Sequence, residues 1–100
     1  MGKLYITEFA SPGVAHGGVV PVGNAGGWRD QTPVTFTATS TVSAAFGTNT
    51  TLVRVQPDAT CSITIGVTAV ASTNTARMVQ NQTEYYAVQA GQVLAVIANV

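Results

Sequence analysis

The feature that most constrains the fold is the second half of the chain, from Thr51 to Val100. Four short apolar-alternating runs follow one another there with turn residues between them: Leu52–Gln56, Cys61–Ile65, Thr83–Val88 and Val93–Ala98. Apolar side chains at every second position put one face of an extended chain on a core and the other toward water, so each run reads as a β-strand. No window carries sustained apolar spacing at three and four residues, and helix formers are scarce. Alanine (14), valine (15) and threonine (15) dominate instead, small and β-branched side chains that suit thin pleated sheets. The frame is therefore all-β, and the rest of the chain has to pack onto it.

Lys3 to Phe9 reads as a further strand, with Leu4 and Ile6 on one face and Tyr5, Thr7 and Phe9 on the other. From about residue 10 to 32, six glycines together with Pro12 and Pro21 predict a long Gly-rich loop or arm, within which Val19, Val20 and Val22 can add a short strand. Loops of that length are uncommon in a small domain unless they bind something or lie on a neighbour. Pro33 to Thr41 alternates most cleanly, Val34, Phe36, Ala38 and Ser40 against Thr35, Thr37, Thr39 and Thr41, and predicts one strand with a wet threonine face. Phe46 is expected to plug one end of the core before a turn at Gly47 and Asn49. Gln56–Thr60 is expected to be a hairpin turn, with Pro57 in its second position and Asp58 bonding its own backbone, so that Val53 and Val55 meet Ile63 and Ile65. Val67 to Thr75 reads as a loop, Ala76 to Gln80 as a short strand carrying Met78, and Ala90–Gln92 as a tight turn in which Gly91 takes positive φ. The count is about seven or eight short strands with turn signals roughly every 8–12 residues, an antiparallel β-sandwich of jelly-roll or immunoglobulin-like topology forming a single domain over residues 1–100.

Charge narrows the function. Only 8% of residues are charged and the net charge is zero, a poor surface for keeping a small domain dispersed, which points to an oligomer or a docked subunit. Lys3, Arg29, Arg54 and Arg77 are spread along the chain and balanced by acids, so no nucleic-acid footprint is expected. His16 and Cys61 are the only residues of their kinds, and Glu8, Asp30, Asp58 and Glu84 stand singly. Neither a catalytic arrangement nor a metal site assembles from that inventory, and no enzyme activity, cofactor or small-molecule substrate is expected. Cys61 alternates in phase with Ile63 and Ile65 and reads as a small buried residue. The longest apolar run, Val93 to Ala98, is far short of the roughly 20 residues of a membrane helix. The first residues lack the apolar stretch of a secretory signal, and a chain made in the cytoplasm is expected.

The candidate interface residues are Tyr5, Phe9, Val19, Val20, Val22, Trp28 and Tyr85. Trp28 follows Gly26-Gly27 as a large ring that either lids the core or anchors in a partner's pocket. Tyr85 and Tyr86 point to opposite faces of their strand. Convergence of Trp28, Tyr5 and one of these tyrosines on one face would make a sugar-binding platform, and a carbohydrate-binding β-sandwich module is the alternative from another class.

Met1–Phe9, Cys61–Gly66, Asn74–Met78, Asn81–Tyr86 and Gly91–Ile97, taken in order, resemble the small structural proteins of tailed bacteriophages. The resemblance spans most of the chain outside the Gly-rich segment. It implies a virion component, a capsid decoration or cement protein of β-sandwich type on the capsid surface. Such a protein would bind itself as a homo-oligomer, a trimer foremost, and a major capsid protein. A head-fibre base or tail-associated subunit resembles it almost equally well. The resemblance carries no functional residues with it, because such proteins act through surfaces.

Overall fold

The computed structural model describes residues 2–10, 12–15, 18–23 and 28–99; for 12–15, 18–23 and 28 it is the backbone that is described. The chain forms β1 (Gly2–Phe9), β2 (Pro12–Ala15), β3 (Gly18–Gly23), β4 (Trp28–Asp30), β5 (Val34–Phe36), β6 (Thr41–Val42), β7 (Leu52–Pro57), β8 (Cys61–Gly66), β9 (Ala76–Met78), β10 (Glu84–Ala87) and β11 (Val93–Ala98). No helix occurs among the described residues. Nine of the strands make two antiparallel sheets. The first runs β10-β7-β1-β4, with β5 pairing the start of β1 while β4 pairs its end. The second runs β6-β11-β8-β9, and β2 pairs with β3 as a separate two-stranded ribbon.

The two sheets enclose one core. Leu4, Ile6, Val34, Phe36, Val53 and Val55 face inward from the five-stranded sheet, and Cys61, Ile63, Met78, Leu94 and Val96 from the four-stranded one. All but Cys61 and Met78 are branched or aromatic, and those in the longer strands stand at every second position. Full burial of such a side chain contributes on the order of 1.5–3 kcal/mol. Phe46 is 3% exposed and closes one end, as its place in the sequence suggests. The fold is thus the expected all-β antiparallel sandwich, with more strands than the seven or eight counted. The excess comes from the Gly-rich segment, which holds β2, β3 and β4, and from the division of Pro33–Thr41 into β5 and β6.

Three local expectations differ from the structure. Pro33–Thr41 is not one strand: β5 belongs to the five-stranded sheet and β6 to the other, and the chain crosses between them at residues 37–40. The threonines there turn to local partners, Thr37 Oγ1 accepting from Thr39 N at 3.2 Å and Thr41 Oγ1 donating to Thr39 O at 3.3 Å, which competes with ladder bonding. Thr37 O then accepts from Ala98 N of β11 at 2.8 Å, tying the crossing to the second sheet. Gln56–Thr60 is likewise a crossing rather than a hairpin. β7 pairs with β1 and β10, β8 with β11 and β9, and Val53, Val55 and Ile63 meet across the core instead of along a ladder. Asp58 does not bond its own backbone: its Oδ1 accepts from Lys3 N at 2.6 Å and its N–H donates to Lys3 O at 2.9 Å, clasping the start of β1. Val67–Thr75 is a loop, β9 carries Met78, and Gly91 has φ +82°, as expected.

Candidate functional site

In an antiparallel ladder, directly opposed residues share a face. The outer face of the five-stranded sheet can therefore be read from its register. Across the strands Tyr85 of β10 stands opposite Arg54 of β7, Arg54 opposite Thr7 of β1, and Thr7 opposite Asp30 of β4. This row brings together an aromatic ring, a cation, a hydroxyl and a carboxylate from four separate strands. Thr7 Oγ1 donates to Asp30 Oδ1 at 2.7 Å, and Arg54 Nη2 reaches Thr7 Oγ1 at 3.4 Å, a weak bond that leaves most of the guanidinium's donors free. Tyr5, opposite Gln56, lies in the neighbouring row. Tyr5 is 46% exposed and Tyr85 41%. A cavity of about 340 Å³ opens between Tyr5, Thr7, Asp30, Pro33 and Arg54, with Gln31 in its wall.

One strand position further along, on the inner side, Glu8 is 1% exposed and fully engaged. Its Oε1 accepts from Gly47 N at 2.9 Å and Thr50 Oγ1 at 2.6 Å; its Oε2 accepts from Arg29 Nη2 at 2.6 Å and Gln31 Nε2 at 2.9 Å. Burial by itself raises the carboxyl's pKa, but the Gly47, Thr50, Arg29 and Gln31 bonds together outweigh it and hold Glu8 below its ordinary value of 4.5. A carboxylate already supplied with four donors is a structural clamp between β1, β4 and the 47–50 turn, and is not free to act as a base. Arg29–Glu8 is the only ion pair among the described residues. Gln31 Oε1 is the one buried side-chain oxygen among them left without a donor.

Cys61 is buried at 0% exposure and burial pushes its thiol up to about 11, so it is neutral and unreactive at physiological pH. Tyr86 faces inward, opposite Val53, beside a cavity of about 370 Å³ lined by Ile63, Ile65 and Ala76. Burial, then the charge of Glu84, raises its phenol. No group of three or more His, Cys, Asp and Glu side chains gathers among the described residues.

The outer face of the four-stranded sheet is different in kind. Val42 of β6 lies opposite Ala95 there and is 52% exposed. The loop after β8 crosses this face: Ala71 N donates to Ser40 Oγ at 2.9 Å, while Asn99 Nδ2 bridges Ser62 Oγ at 2.7 Å and Thr73 O at 3.3 Å. Val67 and Val70 of that loop are each 73% exposed.

Of the residues singled out in the sequence, Tyr5 and Tyr85 come to one exposed face. Phe9 shares that face but is 7% exposed, covered within the chain and so offering little surface to a partner. Val19, Val20 and Val22 lie on β3, and Trp28 on β4 in register with Phe9; their side chains, like His16, lie outside the described residues. Sequence reasoning missed Arg54 and Asp30 as partners of the tyrosines. The period places Arg54 on a wet face, but nothing in the order of residues says that β4, β1, β7 and β10 are neighbours. Comparison with known proteins adds nothing to these contacts, since the chain matches no protein-family model, no curated protein and no solved structure.

Proposed function

We propose that the protein is a non-enzymatic virion structural protein, a capsid decoration or cement subunit that associates with its own copies, a trimer foremost, and docks on a major capsid protein. The observation that carries this reading is the exposure of large apolar side chains in a chain with almost no charge. Val42, Val67, Val70 and Val79 are 51–73% exposed, against eight charged residues in 100. Val67 and Val70, the most exposed of these, stand on one loop, and a contiguous exposed apolar patch is the mark of a docking face. The engagement of Glu8, Asp58 and Cys61 in holding the fold supports a role exercised through surfaces, and so does the resemblance to small phage structural proteins. Binding to an assembled shell, and not to its free parts, would stabilise the occupied lattice by mass action.

Light scattering behind a sizing column, followed by co-sedimentation with undecorated heads, tests this. The expected result is an oligomer that pellets with heads. Replacing Val67 and Val70 by lysine should weaken pelleting by at least tenfold while leaving the thermal midpoint within about 2 °C, because substitutions at exposed positions usually change stability by less than ~0.5 kcal/mol. Pelleting with tails or head fibres instead would favour a tail-associated or fibre-base subunit. A monomer at every concentration that stays in the supernatant would overturn the reading.

A further inference from the structure

We infer that the outer face of the five-stranded sheet carries a binding site for neutral hexose glycans, formed by Tyr5, Thr7, Asp30 and Arg54. This goes beyond the docking role and uses the opposite face of the sandwich from Val42, so the two stand or fall separately. The argument starts from charge. Asp30 and Arg54 flank Thr7 in one row, so the site has one acceptor-only group and one donor-only group whose charges cancel. An ion of either sign would leave one of them opposed. A neutral ligand with adjacent hydroxyls satisfies both, because each hydroxyl donates to the carboxylate and accepts from the guanidinium.

Geometry points the same way. The cavity between these side chains measures about 340 Å³, at the small end of the range for ligand pockets and suited to one or two sugar rings. Tyr5, 46% exposed at its edge, offers an apolar ring for the C–H face of a pyranose. Tyr85, next to Arg54 in the row and 41% exposed, extends the aromatic surface along the direction a second residue would take. Gln31 completes the wall, with its Nε2 turned inward to Glu8 Oε2. The Arg54 guanidinium has no carboxylate within ion-pair distance among the described residues, which leaves its donors for a ligand.

The full-length protein would be screened on immobilised malto-, cello- and galacto-oligosaccharides and on oligogalacturonate. Saturation-transfer NMR on the best neutral binder would follow. The expected result is binding of at least one neutral series, with transfer strongest to the pyranose C–H protons. Tyr5→Ala and Arg54→Ala should each weaken it tenfold or more while melting as the parent does, and Val70→Lys on the other face should leave it unchanged. Binding to none of the neutral series, equal binding by Tyr5→Ala and Arg54→Ala, or binding to oligogalacturonate alone would each overturn the site.

Discussion

Glu8 is the residue on which the end of the sandwich depends. Two of its four donors, Gly47 N and Thr50 Oγ1, come from the turn that carries Phe46 over the core, and Thr50 is itself buried. The Arg29 side chain is 60% exposed, so its ion pair is screened by water and salt and contributes less than its 2.6 Å distance suggests. Glu8→Ala leaves buried donors unpaired and should cost about 2–4 kcal/mol, whereas Arg29→Ala should cost about 1 kcal/mol or less, both read from urea melts. Because the folded-state pKa is depressed, the clamp's contribution is present above the unfolded value near 4.5 and is lost as pH falls through the lower folded value. Stability of the parent should therefore hold from neutrality down to about pH 4.5 and decline below it, and Glu8→Gln should flatten that acid limb in a series of thermal melts. Part of this was legible in the sequence: Glu8 continues the alternation of Leu4 and Ile6 and so points inward. Its donors were not, because they lie 21 to 42 residues away and become neighbours only when β1 takes β4 and the 47–50 turn beside it.

At the scale of elements, period was a good guide to which residues form strands and a poor one to which strands pair. Cys61–Ile65, Val93–Ala98 and Leu52–Gln56 all appear, displaced by at most one residue at an end. The reading of Gln56–Thr60 as a hairpin failed because Pro and Asp between two strands mark a change of direction, and a change of direction serves a crossing between sheets as well as a tight turn. Turn geometry was clearer where a backbone requirement is strong. Gly91, at φ +82°, has open space where a Cβ would stand, so Gly91→Ala meets only the left-handed backbone cost of about 1 kcal/mol. That should lower the thermal midpoint by roughly 4–8 °C. Gly66→Ala is the control: its Cβ would come no nearer than 4.0 Å to Ala69 Cβ, its φ lies outside the left-handed range, and its midpoint should stay within about 2 °C of the parent. Asn81, at φ 65°, holds the same kind of conformation with the side chain that tolerates it best after glycine.

On the scale of the whole molecule, both sheets contribute to one core, and the radius of gyration is 13.4 Å, close to the roughly 13 Å of a compact chain this long. Neither sheet has a second core to fall back on, so unfolding should be a single transition. Far-UV dichroism and labelling of Cys61 by a thiol reagent should give the same urea midpoint, with an m-value of about 1–3 kcal/mol/M; two separated midpoints would mean that the sheets part before they unfold. By itself, the sequence determined that the chain is all-β, which side chains of β1, β7, β8 and β11 face inward, where Phe46 and Gly91 sit, and that the surface is nearly uncharged, because alternation, β-branching and charge count are properties of neighbouring residues. Only the tertiary structure decided that β5 and β6 belong to different sheets, that Glu8 is clamped, and that Tyr5, Thr7, Arg54 and Asp30 share one cavity while the exposed Val42 lies on the opposite face. Those facts depend on register between strands dozens of residues apart, which hydrogen bonding across the sheet sets and local order does not encode.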